Sequence, residues 1–576
     1  MRAAFRVSEL WLLLVATAIG AAAGLAVAAM DHATQLLHRV LFDLPHGVRL
    51  SASTGLEPWR VLVVPILGGL VLAAVMSLRG RFSSRQVVDP IEANALYGGR
   101  MSLLDCLGVG VETMISNGSG ASVGLEAGYS QVGSGMASTV AQRLRLRRSD
   151  VRLMVGCGAA GAIGAAFHAP LTGAFYAFEL VIGGYTVPAL APVVASALAG
   201  SLVAIALGGH EVMVGLAASA APQWHDQVLF LVLAVFSSLA GIALMLGVTA
   251  TERLLRGLAA PRWLRPALGG AAVGGLGLLF PQVLSSGHGA LHQLLDMPLP
   301  WRELALLLLC KVVASAISIG SGFRGGLFFA SVFIGALFGA LFAELVQLQW
   351  PWLHPDPQTY ALIGMSSMAV AVVGGPLTLV FLALEMTRDF SLAPAFVAAV
   401  TISTVTARRL FGYSFATWRF HLRGEAIRSA HDVGWMRNLT VGRLMRRDVR
   451  TVRKDTLLAA FRRQFPLGST GRVIIVDDAD RYAGIVLLPE AHARDLDDKA
   501  GEMRLDALLR YRDVLLLPSQ NIKEAAEQFE RAEADALAVV DDPQSRRVLG
   551  LLNEQHALRR YAEELERRRR ELAGET

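Results

Sequence analysis

The sequence predicts an all-α polytopic membrane protein with two inverted-topology repeats and broken helices, followed by a cytoplasmic α/β pair of small domains. Three observations lead to this fold class. The chain of 576 residues is 53% hydrophobic and only 17% charged, with a mean hydropathy of +0.47. Such values are far from those of soluble globular domains. Apolar stretches of bilayer length recur along the chain, and two sequence patterns occur twice.

Apolar stretches long enough to cross a bilayer, roughly 20 residues each, occur throughout the first 425 residues. They lie at 11–29, 61–78, 151–167, 190–207, 228–248, 304–319, 327–345, 360–373 and 392–405. Other apolar segments are short or interrupted by Gly and Pro. Such breaks are tolerated at membrane depth only where protein or a polar cavity provides hydrogen bonds to the exposed backbone groups. We therefore predict a transmembrane domain at 1–425, with halves at about 9–210 and 225–425.

Basic clusters indicate how this domain is oriented. Arg2 and Arg6 precede the first stretch, and further clusters lie at 79–85, 143–148 and 408–409. Loops rich in Lys and Arg usually face the cytoplasm. We expect a multi-pass protein of the inner membrane, with the amino terminus and the carboxy-terminal domain pair in the cytoplasm.

Two sequence patterns are repeated between the halves. Residues 115–125 read ISNGSGASVGL and residues 317–327, 202 positions later, read ISIGSGFRGGL. A second pair, APLTGAFYAFEL and GPLTLVFLALEM, places Pro170 and Glu179 exactly 206 positions before Pro376 and Glu385. Duplicated halves with glycine-interrupted apolar segments are typical of transporters and channels whose substrate site lies at the repeat interface.

The glycine loops predict an anion site. Helices that begin near Glu126 and near Phe328 would each present unpaired backbone N–H groups and the positive end of a helix dipole. If the halves face each other, both positive ends point at one place, and an anion binds there without Lys or Arg. Glu126 is an ionisable carboxylate at membrane depth and so a functional candidate. Ionised, it can occupy the anion position; protonated, it can leave. The simpler alternative is a first-turn partner of the helix dipole.

The region after residue 425 has a different character, because charged residues are frequent and no further stretch could span a membrane. We predict a linker at 426–439, a domain pair at 440–565 and a charged tail at 566–576. The β-rich runs at 472–478 and 482–488 recur at 536–542 and 548–553, with helical stretches between them.

This arrangement resembles a pair of CBS domains. In that family, a strand followed by Ser or Thr and, three residues later, Asp holds adenosine nucleotides. This chain has Leu487 and Glu490, and Asn553 and His556, at the corresponding positions. Nucleotide binding is therefore left open, and a structural role is the favoured interpretation.

Residues 10–425 resemble the CLC family of chloride channels and proton/chloride exchangers. The segment GLEAG at 124–128 matches the family's gating-glutamate motif, with Glu126 as the external gate. The segment GGLFFA at 325–330 matches its second pore motif. The resemblance implies a homodimer with one pore per subunit, chloride or another small anion as substrate, and no required cofactor. It implies anion contacts at Gly124, Leu125, Gly326, Leu327, Phe328, Val87, Val88 and Ala416, and interface roles for Pro170, Glu179, Pro376 and Glu385.

Three positions depart from the family pattern. The family's first pore loop reads GSGIP, but residues 86–90 read QVVDP, and Val87 cannot donate the serine's hydrogen bond. Losing a donor to a desolvated anion costs roughly 1–3 kcal/mol. Asp89 is expected to cap the helix that follows it. Ala416 stands where the family has an anion-contacting tyrosine, and Tyr413 is a candidate substitute. Arg324 is a second accessory candidate, since it can raise the local anion concentration.

The third departure concerns proton coupling. Many exchangers of the family have an inner proton glutamate directly after the interface glutamate, but here Leu180 follows Glu179. A leucine cannot relay a proton, so this position favours passive, channel-like conduction. The alternative is a proton-coupled antiporter that uses Glu126 and an unconventional inner proton path. Glu112 and Lys311 are further relay candidates, with structural charge pairing as their simpler interpretation.

Two other classes of protein are weighed against these. Gly120-Ala-Ser122-Val-Gly124 matches the nucleophile pattern G-x-S-x-G, but that motif needs a strand before the serine and a nearby His such as His168. A divalent-cation transporter would need clustered carboxylates, and only scattered ones are present. We expect no enzyme activity, no metal site and no nucleic-acid partner. The lone Cys106, Cys157 and Cys310 predict neither disulfides nor thiolate metal ligands.

Overall fold

The computed structural model describes residues 9–82, 87–208, 224–257, 261–296, 299–422, 439–493 and 501–573. The chain divides into two compact units, Met1–His431 and Asp432–Thr576. The predicted linker at 426–439 lies outside the described residues, except for Leu439.

The first unit is helical. Its first half contains α1 (Glu9–Phe42), α2 (Pro58–Phe82), α3 (Pro90–Leu96), α4 (Leu103–Gly118), α5 (Glu126–Arg143), α6 (Arg148–Phe167), α7 (Pro170–Tyr176) and α8 (Val187–Ala206). Its second half contains α9 (Trp224–Gly257), α10 (Arg265–Leu279), α11 (His288–Asp296), α12 (Trp301–Ser321), α13 (Phe328–Gln349), α14 (Pro357–Val373), α15 (Pro376–Thr387), α16 (Ala393–Leu410) and α17 (Phe415–Leu422). A π-helix, Ala177–Ile182, continues α7. Each predicted apolar stretch coincides with a helix, and eight helical segments among the described residues are long and apolar enough to span a membrane.

Helix starts follow local capping rules. The Asp89 side chain accepts a hydrogen bond from the backbone N–H of Ile91 at 2.9 Å and so caps α3, as predicted. Pro90, Pro170 and Pro376 each occupy the first turn of their helix, where the missing N–H costs nothing and the fixed φ suits the helix. The short helices therefore begin where the sequence places Pro.

The two halves meet through equivalent residues. Gly124 N donates to Gly326 O at 2.9 Å, and Gly326 N donates to Gly124 O at 3.0 Å, which forms an antiparallel bridge between the two glycine loops. The rings of Phe175 and Phe381, 206 positions apart, stack at a centroid distance of 4.4 Å. Reciprocal contacts of this kind are what a two-fold arrangement produces. The repeats predicted from the sequence are thus related by an approximate two-fold axis through these contacts.

The two PLT segments exchange their glutamates. Glu179 accepts hydrogen bonds from Leu377 N, Thr378 N and Thr378 Oγ1 at 2.7–2.9 Å. Glu385 accepts the same three bonds from Leu171 and Thr172 at 2.6–2.8 Å. Each carboxylate therefore caps the short helix of the opposite repeat. Glu179 and Glu385 thus make contacts between the two repeats of one chain, and their predicted interface role, including any place in a dimer, stays a prediction.

Substituting Glu385 by Ala is expected to destabilise the protein by about 2 kcal/mol, because three donors at the start of α7 lose their acceptor. Glu385→Gln retains one carbonyl oxygen as an acceptor and should be intermediate. Thermal unfolding of the purified protein in detergent measures the effect. Equal unfolding midpoints for wild type and Glu385→Ala would show that the exchanged caps contribute little.

The second unit is a small α/β region. It contains β1 (Thr451–Arg453), β2 (Arg472–Val476), β3 (Tyr482–Leu487), β4 (Ala536–Val540) and β5 (Val548–Asn553). It also contains α18 (Val441–Leu444), α19 (Leu458–Gln464), α20 (Leu488–Ala491), α21 (Ile522–Ala532) and α22 (Glu554–Ala573).

The strands of this unit repeat one arrangement. Strand β1 is parallel to β2, and β2 is antiparallel to β3. In the second copy, Leu516 forms a parallel bridge to Val539 of β4, which is antiparallel to β5. Glu490, at the position of the family's nucleotide-binding Asp, pairs with Arg510 at 3.1 Å. The unit is compatible with the predicted CBS pair, whose identity stays a prediction and whose nucleotide binding stays open.

Candidate functional site

Glu126 is the first residue of α5, and its side chain is only 4% exposed. Its carboxylate faces the backbone N–H groups of Glu126 itself and of Phe329, in the first turn of α13. Oε2 is buried without a hydrogen-bond partner among the described residues, and it lies where a Cβ on residue 124 would be. The starts of α5 and α13 therefore converge on one negative charge. This is the convergence that the two glycine loops predicted.

Glu126 also lies between two cavities. The larger cavity has a volume of about 450 Å³ and the smaller cavity about 160 Å³. Of the described residues, Glu126 alone lines both. The side chain that can ionise is therefore the boundary between the two spaces, a position that sequence alone did not reveal.

The larger cavity is strongly polar. Its lining includes Asp31, His32, His38, Arg39, Arg49, Tyr129, His168, Ser286 and His288. Asn117 orders the adjacent glycine loop, because its Nδ2 donates to Val123 O at 2.6 Å and its Oδ1 accepts from Ser285 Oγ at 3.1 Å. The His288 ring stacks on Phe329 at 3.4 Å between centroids. These contacts fix both loops around Glu126.

The smaller cavity contains many of the predicted pore residues. Gly326, Leu327, Phe328, Leu180 and Ala416 all line it. It also contains residues that the sequence reasoning did not select, namely Ser130, Tyr176 and Arg419. A signal for Ser130 was available, because it follows Glu126 by four positions and so shares its face of α5. A similar spacing was available for Tyr176, four positions before Leu180, and for Arg419, three positions after Ala416.

The remaining predicted anion contacts are placed differently. Leu125 lines the larger cavity. Gly124 is part of the bridge to Gly326. Val87 and Val88 are not among the residues that line either cavity, although Asp89 lines the smaller one, and Val88 O accepts a hydrogen bond from Gln131 Nε2 at 2.8 Å.

Tyr413 does not line the smaller cavity. Its ring stacks on His421 at 4.7 Å and packs at 5.6 Å from Trp418. The candidate substitution of Tyr413 for the family's tyrosine is therefore not reproduced by the geometry, because Tyr413 lies just before α17 in an aromatic cluster, whereas Ala416, on α17, lines the cavity.

The other charged candidates form internal contacts. Glu112 is fully buried and pairs with Arg79 at 3.0 Å and with Arg324 at 3.4 Å. Lys311 is also buried and donates to Val283 O at 3.0 Å and to Ser285 O at 2.8 Å. The Glu112 contacts match the simpler interpretation, structural charge pairing, whereas the Lys311 ammonium is held by two backbone carbonyls. Arg324 is a partner of Glu112 and is not among the residues lining either cavity.

The geometry around Ser122 differs from a nucleophile elbow. The residues before it form α4, which ends at Gly118, and not a strand. The Ser122 hydroxyl is buried and lies 3.0 Å from the hydroxyl of Ser315. Among the described residues, no group of three or more His, Cys, Asp or Glu side chains could hold a metal ion. Cys106, Cys157 and Cys310 are free and buried.

A polytopic helical fold in which two repeats direct helix starts at one carboxylate between two cavities is typical of membrane transport proteins. The sequence model of the family described as "Voltage gated chloride channel" matches residues 68–408. The chain belongs to this family, the CLC family.

Known proteins agree with this assignment. The chain is 31% identical over 402 residues to the Voltage-gated ClC-type chloride channel ClcB of Escherichia coli O17:K52:H18, covering 69% of this chain and 96% of that one. A slow cyanobacterial Cl⁻/H⁺ antiporter has a similar structure, with a TM-score of 0.62, 19% identity, and coverage of 72% and 97%. A CLC-type fluoride/proton antiporter gives a TM-score of 0.58 and 20% identity, with coverage of 69% and 95%. The two structures share the fold of the transmembrane unit.

Proposed function

We propose that this protein exchanges chloride or another small anion for protons, with Glu126 acting as both the gate and the proton acceptor. One observation carries the proposal: the Glu126 carboxylate occupies the helix-start amides between the two cavities. An anion that passes from one cavity to the other must compete with this carboxylate for the same amides.

The competition couples anion movement to protonation. Two unit negative charges about 4 Å apart repel by roughly 4 kcal/mol at an effective dielectric constant of 20. An ionised Glu126 and a bound anion therefore exclude each other. A protonated Glu126 has lost that repulsion and its attraction to the helix starts, so the anion can take the site. Each anion exchanged in this way is linked to one change in the protonation of Glu126.

Passive conduction is the second candidate, and Leu180 favours it. The curated relative is named a channel, whereas both solved relatives are named proton antiporters. The described structure is compatible with either candidate, because a Glu126 side chain that lines both cavities can gate a channel or couple an exchanger. The comparisons therefore support the antiporter, which the sequence placed second, more than the channel it placed first. The homodimer, the inner-membrane location and the cytoplasmic termini stay predictions.

The proposal is tested by reconstituting the full chain in liposomes with an imposed chloride gradient and following chloride and pH together. We expect protons to move against their own gradient while chloride moves down its gradient. Chloride movement without proton movement would assign the protein to the channels. The absence of any chloride flux would contradict chloride as the anion and lead to the same assay with fluoride.

A further inference from the structure

Two residues that line the smaller cavity carry hydroxyl groups that have no role in the proposed gate or anion site. The first belongs to Ser130, which is 3% exposed and lies one turn after Glu126 on α5. Its Oγ is buried and makes no hydrogen bond of standard geometry among the described residues. Buried hydroxyls are ordinarily paired. A buried hydroxyl that lines a cavity can form its hydrogen bond with a molecule inside the cavity. Water or another proton carrier is a suitable partner.

The second hydroxyl belongs to Tyr176, the last residue of α7. It is within hydrogen-bonding range of the Ser130 hydroxyl, and its ring lies 6.1 Å from that of Phe328. Leu180, the position of the missing inner glutamate, follows Tyr176 by four residues and lines the same cavity. Ser130 is thus one turn from the gating carboxylate, Tyr176 is four residues from the position where a proton-carrying side chain is absent, and all of these positions line one cavity.

The surroundings of the pair suit proton transfer. The charged side chains that line the cavity come from three different elements: Glu126 on α5, Asp89 before α3, and Arg419 on α17. The cavity volume of about 160 Å³ has room for roughly five waters at about 30 Å³ each. A hydroxyl can both donate and accept a hydrogen bond, whereas Leu180 can do neither.

We propose that the hydroxyls of Ser130 and Tyr176 form the proton relay between Glu126 and the smaller cavity, in place of a carboxylate at Leu180. The proton leaves the carboxyl of protonated Glu126 for an oxygen in the cavity, and each hydroxyl that accepts a proton releases its own to the next oxygen. One O–H bond forms as another breaks, so neither side chain ends with a changed charge. The inference rests on the proposed antiport, and it names the proton route that antiport requires.

The test uses the full chain in liposomes and three variants: Ser130→Ala, Tyr176→Phe and the double substitution. Each removes only the relay oxygen, so chloride flux should stay near that of wild type. The ratio of protons to chloride is expected to fall at least about tenfold in the double variant, the scale of a lost proton-transfer group. Thr139→Val is the matched control, because it removes a hydroxyl of α5 that bonds Gly135 O and does not line the cavity.

The outcomes separate this inference from the proposed function. A wild-type protein that moves no protons contradicts antiport before any substitution is made. Wild-type coupling that persists in the double variant overturns the relay alone. Weaker chloride affinity at an unchanged ratio would also overturn it, by showing that the hydroxyls bind the anion. Adding Leu180→Glu to the double variant should restore coupling, since it supplies a carboxyl at the position of the missing inner glutamate. If coupling does not recover, its loss has another cause and the relay is contradicted.

Discussion

Substituting Glu126 by glutamine is expected to abolish proton movement and to leave chloride flux independent of pH. Glutamine has nearly the shape of protonated glutamate but carries no charge, so it cannot compete with the anion for the amides at Glu126 and Phe329. Coupling should fall to the level of empty liposomes, and the response of chloride flux to pH should decrease by roughly tenfold or more. Chloride and pH recorded across a series of external pH values measure both effects.

A carboxylate elsewhere in the fold provides the control. Glu344 is half-buried on α13 and lines a separate pocket of about 200 Å³, so Glu344→Gln makes the same chemical change away from the site. It should keep wild-type coupling. If Glu126→Gln retained the wild-type rate and pH dependence, Glu126 would be a simple partner of the helix dipole and the proposed gate would be wrong.

Substituting Gly124 by alanine is expected to disrupt gating almost as strongly, although it removes no functional group. A Cβ at this position would overlap Glu126 Oε2. The carboxylate is the flexible end of a side chain, so the fold should persist while the carboxylate is displaced from the helix starts. A displacement of about 1 Å at a reacting group can cost on the order of 100-fold. We expect chloride flux with greatly weakened proton coupling.

Gly326 provides the matched control for this prediction. It is the bridge partner of Gly124, but a Cβ added there would meet Ala127 Cβ at 3.4 Å, an ordinary contact, and would lie 3.8 Å from Glu126 Oε2. Gly326→Ala should therefore keep most of the coupling. Thermal unfolding of both variants separates gating from stability. Equal losses of coupling in the two variants would show that the bridge, and not the carboxylate position, is what the alanine disturbs.

The sequence by itself determined much of the local structure. It predicted helix starts near Glu126 and Phe328, because a glycine loop followed by an apolar run indicates a helix start from neighbouring residues alone. It predicted the cap at Asp89, since capping depends on residues within one turn. The offset patterns also revealed the two repeats, and the family resemblance predicted Glu126 as the gate. Apart from the repeats, which come from comparing two segments of the sequence, the determinants of these features lie within a few residues of one another.

The tertiary structure alone decided how the two repeats meet. The bridge between Gly124 and Gly326 and the exchanged caps of Glu179 and Glu385 join residues from 198 to 214 positions apart, and the approach of the Tyr176 hydroxyl to Ser130 joins residues 46 positions apart. Helical period and capping preferences carry no information about which distant element will pack against a given face. The comparisons with known proteins, and not a local pattern, changed the order of preference between channel and antiporter. Leu180 is a local substitution, whereas the cavity that offers another proton route is built from several separate helices packed together.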